Sequence, residues 1–399
     1  MTEAVKPIAT LKEEEKTFQF RNVIAISAAH ATHDTYTGFL PPLLPIIMEN
    51  LSMSKTTAGL LTIFMRIPSL LQPVIGYLAD HHNLRYLVIL APAITATLMS
   101  LVGVAPNIFL VALLVFLTGL SSAAIHAVAP VITGRISGSN LGRGMSFWMV
   151  GGEFGRVLGP LVIVFAIEQF TLEKTPWVML LGLLTSLMLY FVLKDIPVQI
   201  KPKTNARSEI SSVLKKMNVF MLPMIVLLLL RSLLFAGSTM FLPTYLMERG
   251  DSLLYSGSAL SVMEGAGIIG ALLGGTISDK VGRKTIISFS ILFTPIFTYL
   301  FLHSSGILTM IWLALIGFSM LCITPPIMAM VQENFQEDRS LANGLYMAVN
   351  FFTSSIGIYL IGKLGDMYGL QTAITVGAIS MLISLPTIFF LPGKKKKSA

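Results

Sequence analysis

GTISDKVGRK, Gly275 to Lys284, joins two apolar stretches, and a worn copy, GYLADHHNLR, joins two others at Gly76 to Arg85, 199 positions earlier. Gly76 aligns with Gly275 and Asp80 with Asp279. A ten-residue connector that returns in the same apolar setting at that distance marks the duplication of half a chain, and internal repeats of this kind are common in membrane proteins. A tight polar turn would explain Gly and Asp at each connector separately, but not their recurrence at matching places.

The composition places the protein in a membrane. With 54% hydrophobic residues, 12% charged and a mean hydropathy of +0.77, the polar side chains are too few to cover a water-facing surface. A helix needs roughly 20 apolar residues to cross the hydrocarbon core. Windows of that length predict twelve spans, near 20–48, 55–79, 84–105, 107–134, 143–168, 175–195, 218–247, 254–278, 284–303, 305–332, 338–365 and 370–391. The runs are continuous and rich in Leu, Ile, Met and Ala, unlike the alternating ten-residue strands of a barrel. The expected fold class is an all-α membrane protein.

Cationic loops stay in the cytoplasm, and the alternation of twelve spans from a cytoplasmic N-terminus puts 21 Lys and Arg inside against Lys55, Lys174 and Arg249 outside. Both termini are therefore expected in the cytoplasm, with the chain multi-pass in the cytoplasmic (inner) membrane. The net charge of +8 is mostly this sorting. The basic residues are spread over short connectors without interleaved aromatics, which argues against a nucleic-acid partner. Lys394 to Lys397 suit either anionic lipid or a solvated tail. The polar first twenty residues lack the order of a cleavable signal, so the first span is expected to stay. The one cysteine, Cys322, lies within an apolar span, which leaves neither a disulfide framework nor a Cys-based metal site and suits a small core hydrophobe. The longest polar stretch falls between the repeats, so the expected domains are residues 1–195, a six-helix bundle, a cytoplasmic linker 196–217, and a second bundle 218–399.

At this point the chain resembles the major facilitator superfamily of transporters. The pattern G-x-x-x-D-x-x-G-R-K is held by Gly275, Asp279, Gly282, Arg283 and Lys284, while in the first copy His82 and Asn83 fall in the region usually held by Gly and Arg. The resemblance implies gating: the loop Asp meets the cytoplasmic N-terminus of a helix in its own half, where the dipole favours a carboxylate. Asp80 would then face the start of the fifth span near Arg143, and Asp279 the start of the eleventh near Arg339. A narrower resemblance, to the fosmidomycin-resistance branch of exporters, rests on Ser27 to Asp34 (SAAHATHD), Leu71 to Tyr77 (LQPVIGY), Ser121, Ser122, His126 and Gly151 to Pro160 (GGEFGRVLGP). The chain departs from that branch at His33, where Asn is typical, and at Ala127 and Val128, where Pro and Glu usually follow the histidine. Gly151, Gly155, Gly159 and Pro160 are similar to the superfamily's glycine-rich antiporter motif; close helix packing through small residues is a reading compatible with it.

Ionisable residues inside apolar spans carry the chemistry, since a charge there costs a few kcal/mol and persists mainly where it faces partners or water. Asp34, Arg66, Glu153, Arg156, Arg231 and Glu264 each fall roughly 15–20 Å into their spans at about 1.5 Å per residue. Such a mid-depth belt contributed by two repeats is where alternating-access transporters keep substrate and ion sites. Glu153 and Arg156 share a helix face, which suits either mutual neutralisation or a working role. Asp34 has His30 one turn before it and His33 beside it, and imidazoles titrate close to neutrality, so these three are candidate proton carriers, with hydrogen-bonded packing as the alternative. Glu264 is a second proton candidate and Arg231 its candidate counter-ion. Arg66, Arg156 and Arg231 offer planar forks for a carboxylate or phosphonate. His126, Tyr36 and Trp148 are weaker candidates for substrate contact.

No P-loop, H-E-x-x-H or nucleophile elbow is present. The expected function is a secondary active transporter working by alternating access, a proton-coupled antiporter exporting a small organic anion or drug. The expected partners are that substrate, protons and membrane lipids, with no cofactor and no metal, and the resemblance implies a monomer. The alternatives are proton-coupled uptake of an organic acid, a receptor or sensor that does not transport, and an intramembrane enzyme built on His30, His33 and Asp34. The intact second connector predicts two latches of unequal strength. Asp279→Asn is expected to lose more transport than Asp80→Asn, measured as flux at equal expression, and the opposite order would refute the asymmetry.

Overall fold

The computed structural model describes residues 17–194, 207–334 and 339–392. Among them the regular elements are all helices, with no strand. That is what a lipid-buried backbone requires, because a helix satisfies its N–H and C=O groups within its own segment. The first half gives α1 (Phe20–Thr37), α2 (Leu40–Asn50), α3 (Lys55–Arg66), α4 (Gln72–His81), α5 (Arg85–Val102), α6 (Ile108–Ile136), α7 (Leu141–Phe170) and α8 (Met179–Leu193). The second gives α9 (Arg207–Thr239), α10 (Leu242–Glu248), α11 (Leu253–Val281), α12 (Arg283–Leu302), α13 (Ile307–Leu321), α14 (Thr324–Asn334), α15 (Arg339–Tyr368), α16 (Leu370–Ile383) and α17 (Thr387–Phe390).

Ten stretches of the described residues are long and apolar enough to cross a membrane. The first and last expected windows differ from the simple picture. The first runs through α1 and α2 with a break at Gly38 and Phe39, and the last through α16 and α17. Proline explains the first break: Pro41 and Pro42 lack the N–H that a continuing helix needs and suit the opening turn of a new one. The seventh window breaks in the same way at Phe241 before Pro243. Phe39-Leu40-Pro41 thus recurs as Phe241-Leu242-Pro243, a second trace of the duplication, and both phenylalanines are fully buried. Within the expected linker, α9 begins at Arg207. Residues 196–206 and Lys394 to Lys397 lie outside the described residues.

The described residues form two compact units, one from Met1–Phe39, Ile67–Val162 and Gln169–Lys203, the other from Leu40–Arg66, Ile163–Glu168 and Thr204–Ala399. In the first, α1 packs against α5, α6 and α8, and its backbone touches α7. A Cβ placed on Gly151 would lie 2.3 Å from the Ser27 carbonyl oxygen, one on Gly155 2.3 Å from that of Ala31, and one on Gly159 2.6 Å from that of Thr35. Three glycines four residues apart therefore face three carbonyls four residues apart, a contact no larger side chain permits. In the second unit α3 lies on α15, α2 on α10, and α11 on α13.

Gly155→Ala is expected to destabilise the protein by about 2 kcal/mol, the cost of overpacking a fitted contact. Gly142→Ala, with nothing within 4 Å of its Cβ, is the control. Thermal unfolding of the purified protein in detergent measures the difference, and equal transitions for the two variants would contradict the packing argument.

Candidate ion and substrate site

The ionisable residues of the first unit converge on α1. Counted from α1's start at Phe20, His30 is ten residues in, and His126 is ten residues from α6's end at Ile136. The two ends are tied by Gln19 N–H donating to the Ile136 carbonyl at 2.9 Å, so both histidines arrive at one depth. His30 Nε2 lies 3.2 Å from His126 Nε2 and 3.3 Å from Asp34 Oδ2. His126 Nε2 lies 3.8 Å from Asp34 Oδ1.

Each ring has its orientation fixed from behind. His30 Nδ1 is 2.8 Å from the Trp148 carbonyl oxygen, and His126 Nδ1 is 2.9 Å from that of Ser122. A carbonyl oxygen only accepts, so Nδ1 carries the hydrogen in both rings. In neutral imidazoles both Nε2 atoms then present lone pairs to each other and to a carboxylate. Two lone pairs do not bond at 3.2 Å, so this arrangement accommodates one added cation. The Trp148 ring stacks on His30 at 3.6 Å and 12°, and Gly152 leaves the space that the ring occupies, since a Cβ there would meet His30 Cε1 at 2.3 Å.

The other expected residues fall into place around this centre or away from it. His33 is fully buried, 3.9 Å from Asp34 Oδ1, and its ring nitrogens have no hydrogen bond among the described residues. Glu153 and Arg156 pair with one another at a half-exposed surface of α7, and Arg156 also lies within electrostatic reach of His126. Tyr36, expected as a substrate contact, is fully buried and donates its hydroxyl to the Val178 carbonyl at 2.5 Å, so its polar atom is already engaged. Trp148 is likewise buried as the wall behind His30. His126, read from sequence as a substrate contact, stands in the Asp34 cluster.

In the second unit Arg231 on α9 is buried, donates to the Met320 carbonyl at 3.0 Å, and lies over the Phe235 ring at 5.3 Å. The expected counter-ion is not found: no carboxylate pairs with Arg231 among the described residues, and its Nε has no hydrogen bond. Glu264 is half-buried on α11 and Arg66 closes α3.

The second connector forms a network. Arg283 holds Asp279 at 2.6 Å and Glu333, at the end of α14, at 2.9 Å. Gly282, at φ +97, turns the chain from α11 into α12, a conformation glycine adopts without penalty. Gly275 faces Pro325, and Lys284 is half-buried in the first turn of α12. Asp279 pairs with Arg283 one turn along the chain, Glu333 went unread, and the expected contact of Asp279 with the start of the eleventh span falls on a side chain outside the described residues. Arg143 lies over the Phe18 ring at 4.8 Å. The side chains of Asp80 and Arg339 lie outside the described residues.

The Major Facilitator Superfamily model matches residues 26–293 and again 259–399. The chain belongs to that superfamily. It is 28% identical over 382 residues to the fosmidomycin resistance protein of Escherichia coli (strain K12), across 94% of this chain and 93% of that one. To the quinolone resistance protein NorA of Staphylococcus aureus (strain MSSA476) it is 25% identical over 350 residues, across 83% and 86%. Its fold is similar to the crystal structure of a D-xylose-proton symporter, with TM-score 0.76 and 12% identity over 96% of this chain and 100% of that one. The protein is a multi-pass membrane transporter of this superfamily.

For a transporter of this superfamily the other end of the second unit matters as much as the connector. Asp366 on α15 accepts from Lys55 N–H at 2.8 Å, Thr56 N–H at 2.9 Å and the Thr56 hydroxyl at 2.5 Å, which caps the N-terminus of α3. Lys55 Nζ reaches Glu248 at 2.8 Å, and a Cβ on Gly362 would meet the Lys55 carbonyl oxygen at 2.7 Å. Sequence reading registered Lys55 only as an outside cation. The available signal was Gly362-x-x-x-Asp366, small and acidic residues one turn apart. Asp366→Ala is expected to cost about 1 kcal/mol, the value of a lost cap, seen as a lowered thermal transition, and an unchanged transition would show that the cap does not hold α3.

Proposed function

We propose that this protein is a proton-coupled antiporter that exports a small organic anion or drug by alternating access across the cytoplasmic membrane. The observation that carries the reading is the His30, Asp34 and His126 arrangement, which has room for one proton between two imidazoles and a carboxylate. With the proton present, one imidazolium and Asp34 sum to zero charge; without it, a carboxylate is left among neutral rings. The names of the relatives, resistance proteins against fosmidomycin and quinolones, support export.

Alternating access needs two bodies, and on this reading they are the six-helix bundles of residues 1–195 and 218–399 joined by the linker 196–217, twelve spans in all with both termini cytoplasmic. Substrate loads from the cytoplasm after the proton has left, and a proton taken from outside resets the empty carrier. Arg231, buried without a carboxylate, is the leading group for an anionic substrate, with Arg66 and Arg156 as further candidates and Glu264 as a second proton group. The charge balance also favours a second reading, uptake of an organic acid together with the proton, because filling the cluster removes a negative charge that repels anions.

Flux in proteoliposomes with an imposed pH gradient tests both. Export is expected to run against an inward proton gradient and to collapse with it. Asp34→Asn is expected to cut gradient-driven flux at least tenfold while retaining a folded protein by thermal unfolding, and Arg231→Ala to impair anionic substrates more than neutral ones. Accumulation in the direction of the proton gradient selects uptake. Flux that ignores the gradient, or survives undiminished in Asp34→Asn, overturns proton coupling.

A further inference from the structure

We infer that His30, Asp34 and His126 form a binding site for a zinc-class divalent ion, whose occupancy locks α1 to α6. The inference rests on the reading of this cluster as a seat for one cation and adds which other cation it takes. Sequence alone gave no reason to expect a metal, because only His30, His33 and Asp34 share a helix; the third useful ligand comes from α6.

The geometry is that of a site already assembled. A tetrahedral zinc ion with bonds near 2.0 Å sets neighbouring ligand atoms about 3.3 Å apart. The observed separations are 3.2 Å between the two Nε2 atoms, 3.3 Å from His30 to Asp34 Oδ2 and 3.8 Å from His126 to the other oxygen, Oδ1, and with one ligand atom taken from each residue all lie within 4.8 Å of one another. Rotation of the carboxylate closes the widest gap. The outer contacts match as well. Histidine ligands of metals donate their second ring N–H to a carbonyl or carboxylate, which fixes the tautomer, and here both Nδ1 atoms face backbone carbonyls. The ring of His30 is further fixed by stacking on Trp148.

Two imidazoles and one carboxylate favour zinc, cobalt or nickel over magnesium and calcium, which take oxygen donors. The fourth position is open on the side of His126, whose side chain is 34% exposed against 6% for His30 and 11% for Asp34, so the ion enters there and keeps a water. His33, 3.9 Å from Asp34 Oδ1 and with its ring centroid 5.7 Å from that of His126, is outside the set of three whose ligand atoms lie within 4.8 Å of one another. Arg156 is the nearest cation known to reach His126, and its pairing with Glu153 offsets its charge. A bound ion joins α1 and α6 through three bonds, so it occupies the proton's place and holds the two helices in one arrangement.

The test uses the full chain, without a histidine tag, in detergent micelles with no pH gradient. Zinc is titrated by calorimetry, and cobalt is used as a spectroscopic probe, whose intense visible bands report tetrahedral coordination. One zinc per chain is expected, weakened at least tenfold in His30→Ala and in His126→Ala, with Asp34→Asn also weakened and His303→Ala unchanged. Zinc that fails to saturate at one per chain overturns the proposal, as does affinity undiminished in both His30→Ala and His126→Ala. If a ligand variant fails to fold, octahedral cobalt spectra in the unmodified chain overturn it instead. Binding with these dependences in a protein that shows no proton-driven flux would leave the metal site standing and remove the proton-coupled function.

Discussion

The contact on which the first unit depends is the backbone of α1 lying directly on the backbone of α7. Gly151, Gly155 and Gly159 bring the main chain of α7 against the carbonyls of α1 at three successive turns, so dispersion between closely spaced main chains replaces the hydrophobic effect, which lipid cannot supply. The same approach fixes the chemistry. It brings the Trp148 carbonyl to His30 Nδ1 and the Trp148 ring to its face, and Gly152 provides room for the imidazole. A side chain at these glycines would push α7 outward and remove the partner that sets the tautomer of His30. The packing motif and the placement of the His30 cluster are therefore one feature of the sequence.

Charges in the membrane are handled in three ways in this chain. Glu153 and Arg156 neutralise each other within one helix turn. Asp34 is surrounded by three histidines, groups that can match its charge or stay neutral, so the balance there can change with one cation. Among the described residues Arg231 meets a carbonyl oxygen and an aromatic face, with Tyr346 and Cys322 nearby and no carboxylate. Breaking a buried pair by removing one partner leaves an uncompensated charge and is strongly unfavourable, and Arg231 occupies that unpaired condition in the resting protein. An arginine kept this way in a transporter is consistent with a partner that arrives from solution.

The membrane class, the duplication, the helical fold and most span positions were legible because they depend on composition and repetition, which a sequence displays directly. The breaks within the first and seventh spans went unread although Pro41 and Pro243 signal them, and their value as a matched pair emerged only with the buried Phe39 and Phe241. Within the site, Asp34 with His30 and His33 followed from helical spacing, since residues on one helix have known relative positions. His126 did not, because its depth must be measured from the far end of a helix running the opposite way. Glu333 and Asp366 were missed for a related reason: each acts on a helix distant in sequence. Arg231 was a candidate counter-ion of Glu264, but spacing along two different helices does not decide contact, because equal depth does not give equal azimuth, and no pair between them forms among the described residues.

The two ends of the second unit use similar devices. At one end Asp279 and Glu333 flank Arg283 beside the turn between α11 and α12; at the other, Asp366 caps α3 while Lys55 reaches Glu248. In each case a carboxylate one turn beyond a small residue meets positive charge at a helix start, with Gly275 preceding Asp279 and Gly362 preceding Asp366. A glycine lets the neighbouring backbone come close, and the acid four residues later then lies within hydrogen-bonding reach of an N-terminus or an arginine. Both contacts are short, polar and near a helix end, so each is held mainly by charge and hydrogen bonds worth about 1 kcal/mol apiece. Contacts of that size can be exchanged for water, whereas the glycine-lined contact of α1 and α7 cannot be reopened without creating a void. The parts of the structure suited to movement are therefore the carboxylate-tipped helix ends, and the part suited to holding an ion in fixed geometry is the glycine-packed interior.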